Sequence, residues 1–258
     1  MSKLLDKLEK ASRGVVQPLG FGGGARREKV APMLLLGAVQ AGNDADAKLV
    51  AEADLDGAIV IAGKAADIDK SAKGLGDGPV CGAWYDEAQA EDTEGIDFQV
   101  FSSDKTPVAA LGGEERTNVM QVVPELDDSL LRTIDHLPVD AFLVSLADAE
   151  SLTIAQLMRL ARVRGVTSRW LLVHLAALPS KEELEQLRDA GVGAIVVTVA
   201  GQTPDALKAC KQRLLDLPHE APERNKGKSF ATLPSVASDP RRPAQPAPEP
   251  DEDDWDDE

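Results

Sequence analysis

The chain has 258 residues, 43% hydrophobic and 28% charged, a balance that excludes wholesale disorder and leaves room for one large domain or two small ones. Its net charge of −16 argues against sequence-independent binding to nucleic acid, and its two cysteines, Cys81 and Cys210, are too few for a disulfide framework or a cysteine metal knuckle. No stretch approaches the roughly 18 uninterrupted apolar residues of a membrane-spanning helix, and the start MSKLLDKLEKASRG has no apolar signal-peptide core, so a cytoplasmic location is expected.

Residues 1–30 read as a short helix followed by a connector. Leu4, Leu5, Leu8 and Ala11 form an apolar stripe that suits either the lower mouth of a larger fold or a partner surface. Gly20 to Lys29 is glycine-rich and basic. It lacks the Gly-Lys-Ser/Thr ending of a Walker loop, so a flexible connector is the simpler reading than a phosphate cradle.

From Ala31 to Leu217 short apolar runs recur. They are MLLLGAV at Met33, GAIVIAG at Gly57, VCGAW at Val80, DFQVF at Asp97, NVMQVV at Asn118, DAFLVSL at Asp140, RWLLVHL at Arg169 and GAIVVTV at Gly193. The runs are near-continuous rather than alternating, which is the pattern of parallel strands covered by helices. Between them lie helical patterns. Leu130, Leu131, Ile134 and Leu137 are expected on one face, as are Leu184 and Leu187, and Leu207, Cys210, Leu214 and Leu217. Ser180 three residues before Glu183 is a capping box by spacing, and Thr203-Pro204 places an N-cap before a helix-opening proline. Gly165 and Gly191 are expected to close helices. The segments Asp86–Gly95 and Lys105–Glu115 are polar or short, and predict little helix.

Eight βα units predict an α/β fold, a compact (β/α)8 barrel over residues 31–217. An open doubly wound sheet is the rival, but its first strand would lead into a glycine-rich turn, and here that strand ends Val39-Gln40-Ala41-Gly42-Asn43. Residues 218–258 are rich in Pro, Ser, Ala and charge and read as a disordered tail. Glu249 to Glu258 hold eight acidic groups and no base, half of the net charge. Within them Trp255, between Asp251 and Glu258, suits a docking peptide for a basic protein partner, or simply a solubilising end.

In a barrel, reacting groups come from the C-terminal ends of strands and the loops that follow. Those positions are Gln40, Lys64, Trp84 to Asp86, Ser102 to Lys105, Glu125, Ser145, Asp148, His174, Thr198 and Gly201 to Thr203. Asp86, Asp104, Glu125 and Asp148 follow four successive strands and suit a divalent metal such as Mg²⁺, although such residues also cap helices. Lys64 suits carbonyl chemistry if desolvated and a surface charge if not. His174, flanked by Leu171, Leu172, Val173 and Leu175, suits a general acid or base or a packed, hydrogen-bonded core residue. Lys64, Glu125 and His174 are therefore the catalytic candidates. Gly201, Gln202 and Thr203 are the cofactor-binding candidates, a glycine and a helix start where barrels hold phosphate. Cys81 and Cys210 sit on apolar faces and read as core thiols.

The rhythm of Ala31 to Leu217, with the helix–Gly–strand junction Leu184 to Val197, resembles the aldolase-type and phosphate-binding TIM barrels. That family pairs glycines after its seventh and eighth strands, whereas Leu175 to Pro179 here contains none. The resemblance implies a barrel but assigns no reaction. Function is read first as a lyase or isomerase acting on a small polar or anionic carbonyl metabolite, with proton transfer next to the carbonyl. The alternatives are a non-catalytic barrel that docks partners through its acidic tail and, third, a flavin-binding oxidoreductase.

Overall fold

The computed structural model describes residues 2–14, 29–62, 65–76, 78–85, 95–111, 116–123, 126–134, 136–148 and 151–219. Each apolar run becomes a strand. They are β1 (Leu34–Gln40), β2 (Gly57–Ala62), β3 (Val80–Tyr85), β4 (Phe98–Ser102), β5 (Thr117–Val122), β6 (Ala141–Ser145), β7 (Trp170–Leu175) and β8 (Ala194–Thr198). All neighbours pair in parallel in chain order, and β1 pairs β8, so the sheet closes. A path followed from Gln40 through Ile61, Trp84, Val100, Val119, Ala141 and Trp170 returns to β1 eight residues lower. That stagger is the shear of a TIM barrel.

Strand residues alternate between two cores. Leu34, Leu36, Ala38, Ile59, Phe98, Val100, Val119, Leu143, Leu172 and Val196 fill the barrel interior. Leu35, Val39, Val60, Met120, Phe142, Val173 and Val197 face the helices α2 (Asp44–Glu52), α3 (Ala65–Leu75), α4 (Asp128–Ile134), α5 (Ile154–Arg164), α6 (Lys181–Asp189) and α7 (Pro204–Leu215). Helix starts follow their signals. Thr153 and Ser180 form capping boxes with Gln156 and Glu183, and Thr203 caps α7 ahead of Pro204.

The first helix, α1 (Lys3–Arg13), buries Leu4, Leu8 and Ala11 among the interior residues, so its stripe stoppers the N-terminal end of the barrel. Ser2 Oγ donates to the Asp97 carbonyl at 3.1 Å and Lys7 Nζ to the Asp56 carbonyl at 2.6 Å, which pins the stopper to the strand starts.

Asp56, Asp97 and Asp140 each stand immediately before an even-numbered strand. Their carboxylates accept the N–H of Leu35 at 2.9 Å, Cys81 at 3.0 Å and Asn118 at 2.8 Å, the second residue of the preceding odd strand. Their own N–H groups donate back to the carbonyls of those same residues. A two-strand unit with an aspartate clasp thus recurs three times around the lower rim.

The structure departs from the sequence reading in two places. Leu131 and Ile134 are buried, but Leu130 is 53% and Leu137 42% exposed. Leu130 sits about 100° around the helix from Leu131, and Leu137 lies beyond the end of α4. Among the described residues after β4 there is a short 3₁₀ turn, Val108–Leu111, in keeping with the little helix expected there. Residues 220–258, with the acidic segment that holds Asp251, Trp255 and Glu258, lie outside the described residues. Pro218 and His219, read as the first residues of the tail, still touch the barrel unit. Arg188 donates to the Pro218 carbonyl at 2.8 Å, and His219 Nε2 lies 2.8 Å from the Val30 carbonyl.

Candidate functional site at the C-terminal mouth

The interior changes character along the barrel. Ile59, Val100, Leu143 and Val196 are fully buried aliphatics. Two residues further along each strand the pleat returns to the same face, and the stagger sorts these positions into tiers drawn from alternate strands. One tier holds Ala38, Trp84, Gln121 and His174. The next holds Ile61, Ser102, Ser145 and Thr198, with Gln40 above them on β1. A hydrocarbon floor thus meets a polar wall near the strand ends.

His174 is the centre of that wall. It is only 9% exposed. Its Nδ1 lies 3.2 Å from Ser145 Oγ on β6, and its Nε2 lies 3.3 Å from Thr198 Oγ1 on β8. Trp84, on the opposite side of the barrel, meets the imidazole edge-to-face with ring centroids 5.3 Å apart. Burial lowers the His174 pKa below the usual 6.5, so the ring is neutral near pH 7. A neutral imidazole has one N–H and one lone pair. One hydroxyl therefore accepts from the ring while the other donates to it, and the three groups form a single hydrogen-bonded chain.

The loops around the mouth are braced by their own side chains. Glu183 accepts from the Leu152 N–H and from the Ser180 N–H, both at 2.7 Å, tying the loop after β6 to the start of α6. Gln156 donates to Asp148 at 3.3 Å and accepts from the Thr153 N–H at 2.9 Å.

Of the residues chosen from sequence, His174 stands at the mouth. Lys64, Asp86 and Glu125 lie outside the described residues. Asp104 is exposed and accepts from Ser103 at 2.8 Å, and Asp148 is exposed and occupied by Gln156. Among the described residues no group of three or more His, Cys, Asp or Glu is placed to hold a metal. In the loop after β8, Gly201 takes a left-handed φ of 79°, the Gln202 N–H donates to the Val199 carbonyl at 2.9 Å, and Thr203 Oγ1 caps α7 at the Ala206 N–H, 3.2 Å away. These groups serve the turn and the helix. Cys81 and Cys210 are buried, and desolvation pushes their thiols up to about 12 and about 11, which makes them inert at neutral pH.

Sequence reading placed Ser145, Trp84 and Thr198 at strand ends but did not join them to His174, and it passed over Gln121. Strand parity carries the missing signal, because each lies two residues beyond an apolar interior position of its own strand, or four where a glycine intervenes.

A cavity of about 560 Å³ opens at the other end of the barrel, where Lys7, Lys29 and Lys211 line it with Asp54 and Asp56. Four of these charges are engaged in ion pairs. Lys211 pairs with Asp54 at 3.2 Å and Asp56 at 3.4 Å, and Lys29 with Asp216 at 2.9 Å. It anchors α1 and the strand starts, and holds none of the polar tiers.

No family model matches the chain, and no curated protein does. Solved structures do. Wild-type GGGPS from Thermoplasma volcanium aligns with a TM-score of 0.58 at 11% identity, over 84% of this chain and 97% of that one. A ligand-free tryptophan synthase from M. tuberculosis aligns at 0.58 and 13% identity, over 83% and 98%. A mutant tryptophan synthase alpha-subunit from Pyrococcus furiosus aligns at 0.55 and 14%, over 70% and 96%. The chain has a TIM-barrel fold. At these identities the likeness concerns the fold alone.

Proposed function

We propose that the C-terminal mouth binds a small carbonyl compound and that His174 moves protons there, in a lyase or isomerase. The observation that carries this reading is the hydrogen-bonded chain Ser145···His174···Thr198, built into the barrel wall at 3.2 and 3.3 Å. A hydroxyl that accepts the imidazole N–H has its own proton free to donate to a carbonyl oxygen of the ligand. The hydroxyl at the other nitrogen takes a proton from the ligand as its own passes to the ring, and the ring's original N–H proton passes to the first hydroxyl as that hydroxyl protonates the carbonyl oxygen. One proton goes on and one comes off, and the relay ends uncharged, as enolisation next to a carbonyl requires. General acid–base help of this kind is worth roughly 10²–10⁴-fold in rate. The aliphatic tier beneath supports the reading, because it keeps bulk water from the inner side of the ring. The similar solved structures, a GGGPS and a tryptophan synthase, support a small-molecule site in a barrel of this form.

The test is deuterium uptake from heavy water into small hydroxycarbonyl compounds, followed by NMR with purified full-length protein. His174→Asn is expected to reduce the protein-dependent exchange by roughly 10²–10⁴-fold while the folded spectrum is kept. Exchange that is untouched by His174→Asn defeats the proposal.

A further inference from the structure

We infer that the mouth takes an uncharged, hydroxylated ligand and not a phosphate ester or carboxylate. The inference rests on the reading of the mouth as the ligand site and narrows it from a polar or anionic compound to a neutral one.

The first argument is the chemistry of the wall. Gln40, Ser102, Gln121, Ser145, His174 and Thr198 are the polar groups of the upper interior, and every one of them both donates and accepts hydrogen bonds. Hydroxyl groups on a ligand are equally two-sided, so such a wall satisfies them in either sense. Among the described residues, no Asp, Glu, Lys or Arg stands at an inward position of these tiers. A charge brought to this wall, where His174 is buried and Ser145 and Thr198 are half-buried, gives up part of its hydration with no countercharge from these tiers. Trp84, half-buried beside His174, adds a flat apolar surface suited to the C–H face of a polyol or sugar-like skeleton.

The second argument comes from the loops that most readily hold an anion. Helix starts attract anions through free backbone N–H groups, but at α5, α6 and α7 some of those groups already have partners. At α5, Thr153 and Gln156 cap each other. At α6 the carboxylate of Glu183 itself takes the Ser180 and Leu152 N–H groups. At α7 the Ala206 N–H goes to Thr203 Oγ1, and the Val199 and Gln202 N–H groups go to backbone carbonyls. A phosphate arriving at α6 would meet a resident carboxylate.

The test uses matched pairs on the full chain: dihydroxyacetone, erythrose, ribose and fructose, each against its phosphate ester. Binding is read from the Trp84 indole and His174 ring signals by NMR, assigned with Trp84→Phe and His174→Asn. At least one neutral member is expected to shift both signals, with its phosphate ester about tenfold or more weaker, one decade in Kd. A phosphate ester that binds as tightly as its neutral partner, or tighter, overturns this inference and leaves the mouth reading standing. If no member of any pair moves either signal, both fall.

Discussion

The proposed role of His174 follows from where its strand puts it. Leu172, two residues earlier on the same face, is fully buried in the hydrophobic interior, and His174 stands one step above it between two hydroxyls. Its lowered pKa has a consequence for stability. Above about pH 6.5, the ordinary value for histidine, the ring is neutral in both the folded and the unfolded chain. As pH falls below that, the unfolded chain takes up a proton that the folded site resists, so the folded state loses stability until the folded ring also titrates. Chemical denaturation across the mildly acidic range is therefore expected to show falling stability in the wild type and a flatter profile in His174→Gln. Equal slopes in the two proteins would show that this ring does not feel its burial. The residue was legible in sequence as the histidine at a strand end. Its partners were not, since Ser145 and Thr198 lie 29 and 24 residues away and meet it only through strand pairing.

At the scale of elements, the lower rim is held by repetition. Asp56, Asp97 and Asp140 each exchange two hydrogen bonds with the second residue of the strand before, and so set the register of three strand pairs. A hydrogen bond to a charged group contributes about 1.5–3 kcal/mol. Asp140→Ala is expected to cost about that much in urea denaturation, because the Asn118 N–H it satisfies has little access to water. A loss below a few tenths of a kcal/mol would mean that water substitutes for the clasp. The aspartates at Asp97 and Asp140 were visible as the first residues of apolar runs, yet their role was hidden. A residue that opens a strand in the sequence turns out to cap its neighbour. Helix starts fared better, because Thr153, Ser180 and Thr203 cap through contacts three residues away that lie wholly within one element.

For the whole molecule the stagger of eight decides which side chains meet. It places Gly82 against Phe98, where an added Cβ would lie 2.2 Å from the ring tip. That ring is fully buried within the barrel. Gly82→Ala is expected to destabilise the fold by about 1–3 kcal/mol through overpacking, and Phe98→Leu in the same chain should recover part of the loss. Additive losses in that double-mutant cycle would show the two sites do not share the space. The same closure sets polarity end to end. α1 fills one opening with Leu4 and Leu8, leaving the polar tiers at the other.

What could be known from the chain alone was local: eight apolar runs, their helical spacers, the caps, and the apolar stripe of α1. Each is written in neighbouring residues, where pleat or helical period acts directly. Which inward positions share a tier was set only by closure of the barrel, since the shear relates residues far apart in the chain through backbone hydrogen bonds between strands. For that reason the strands and the fold were readable in advance, while the Ser145–His174–Thr198 chain and the uncharged wall around it emerged only when the eighth strand met the first.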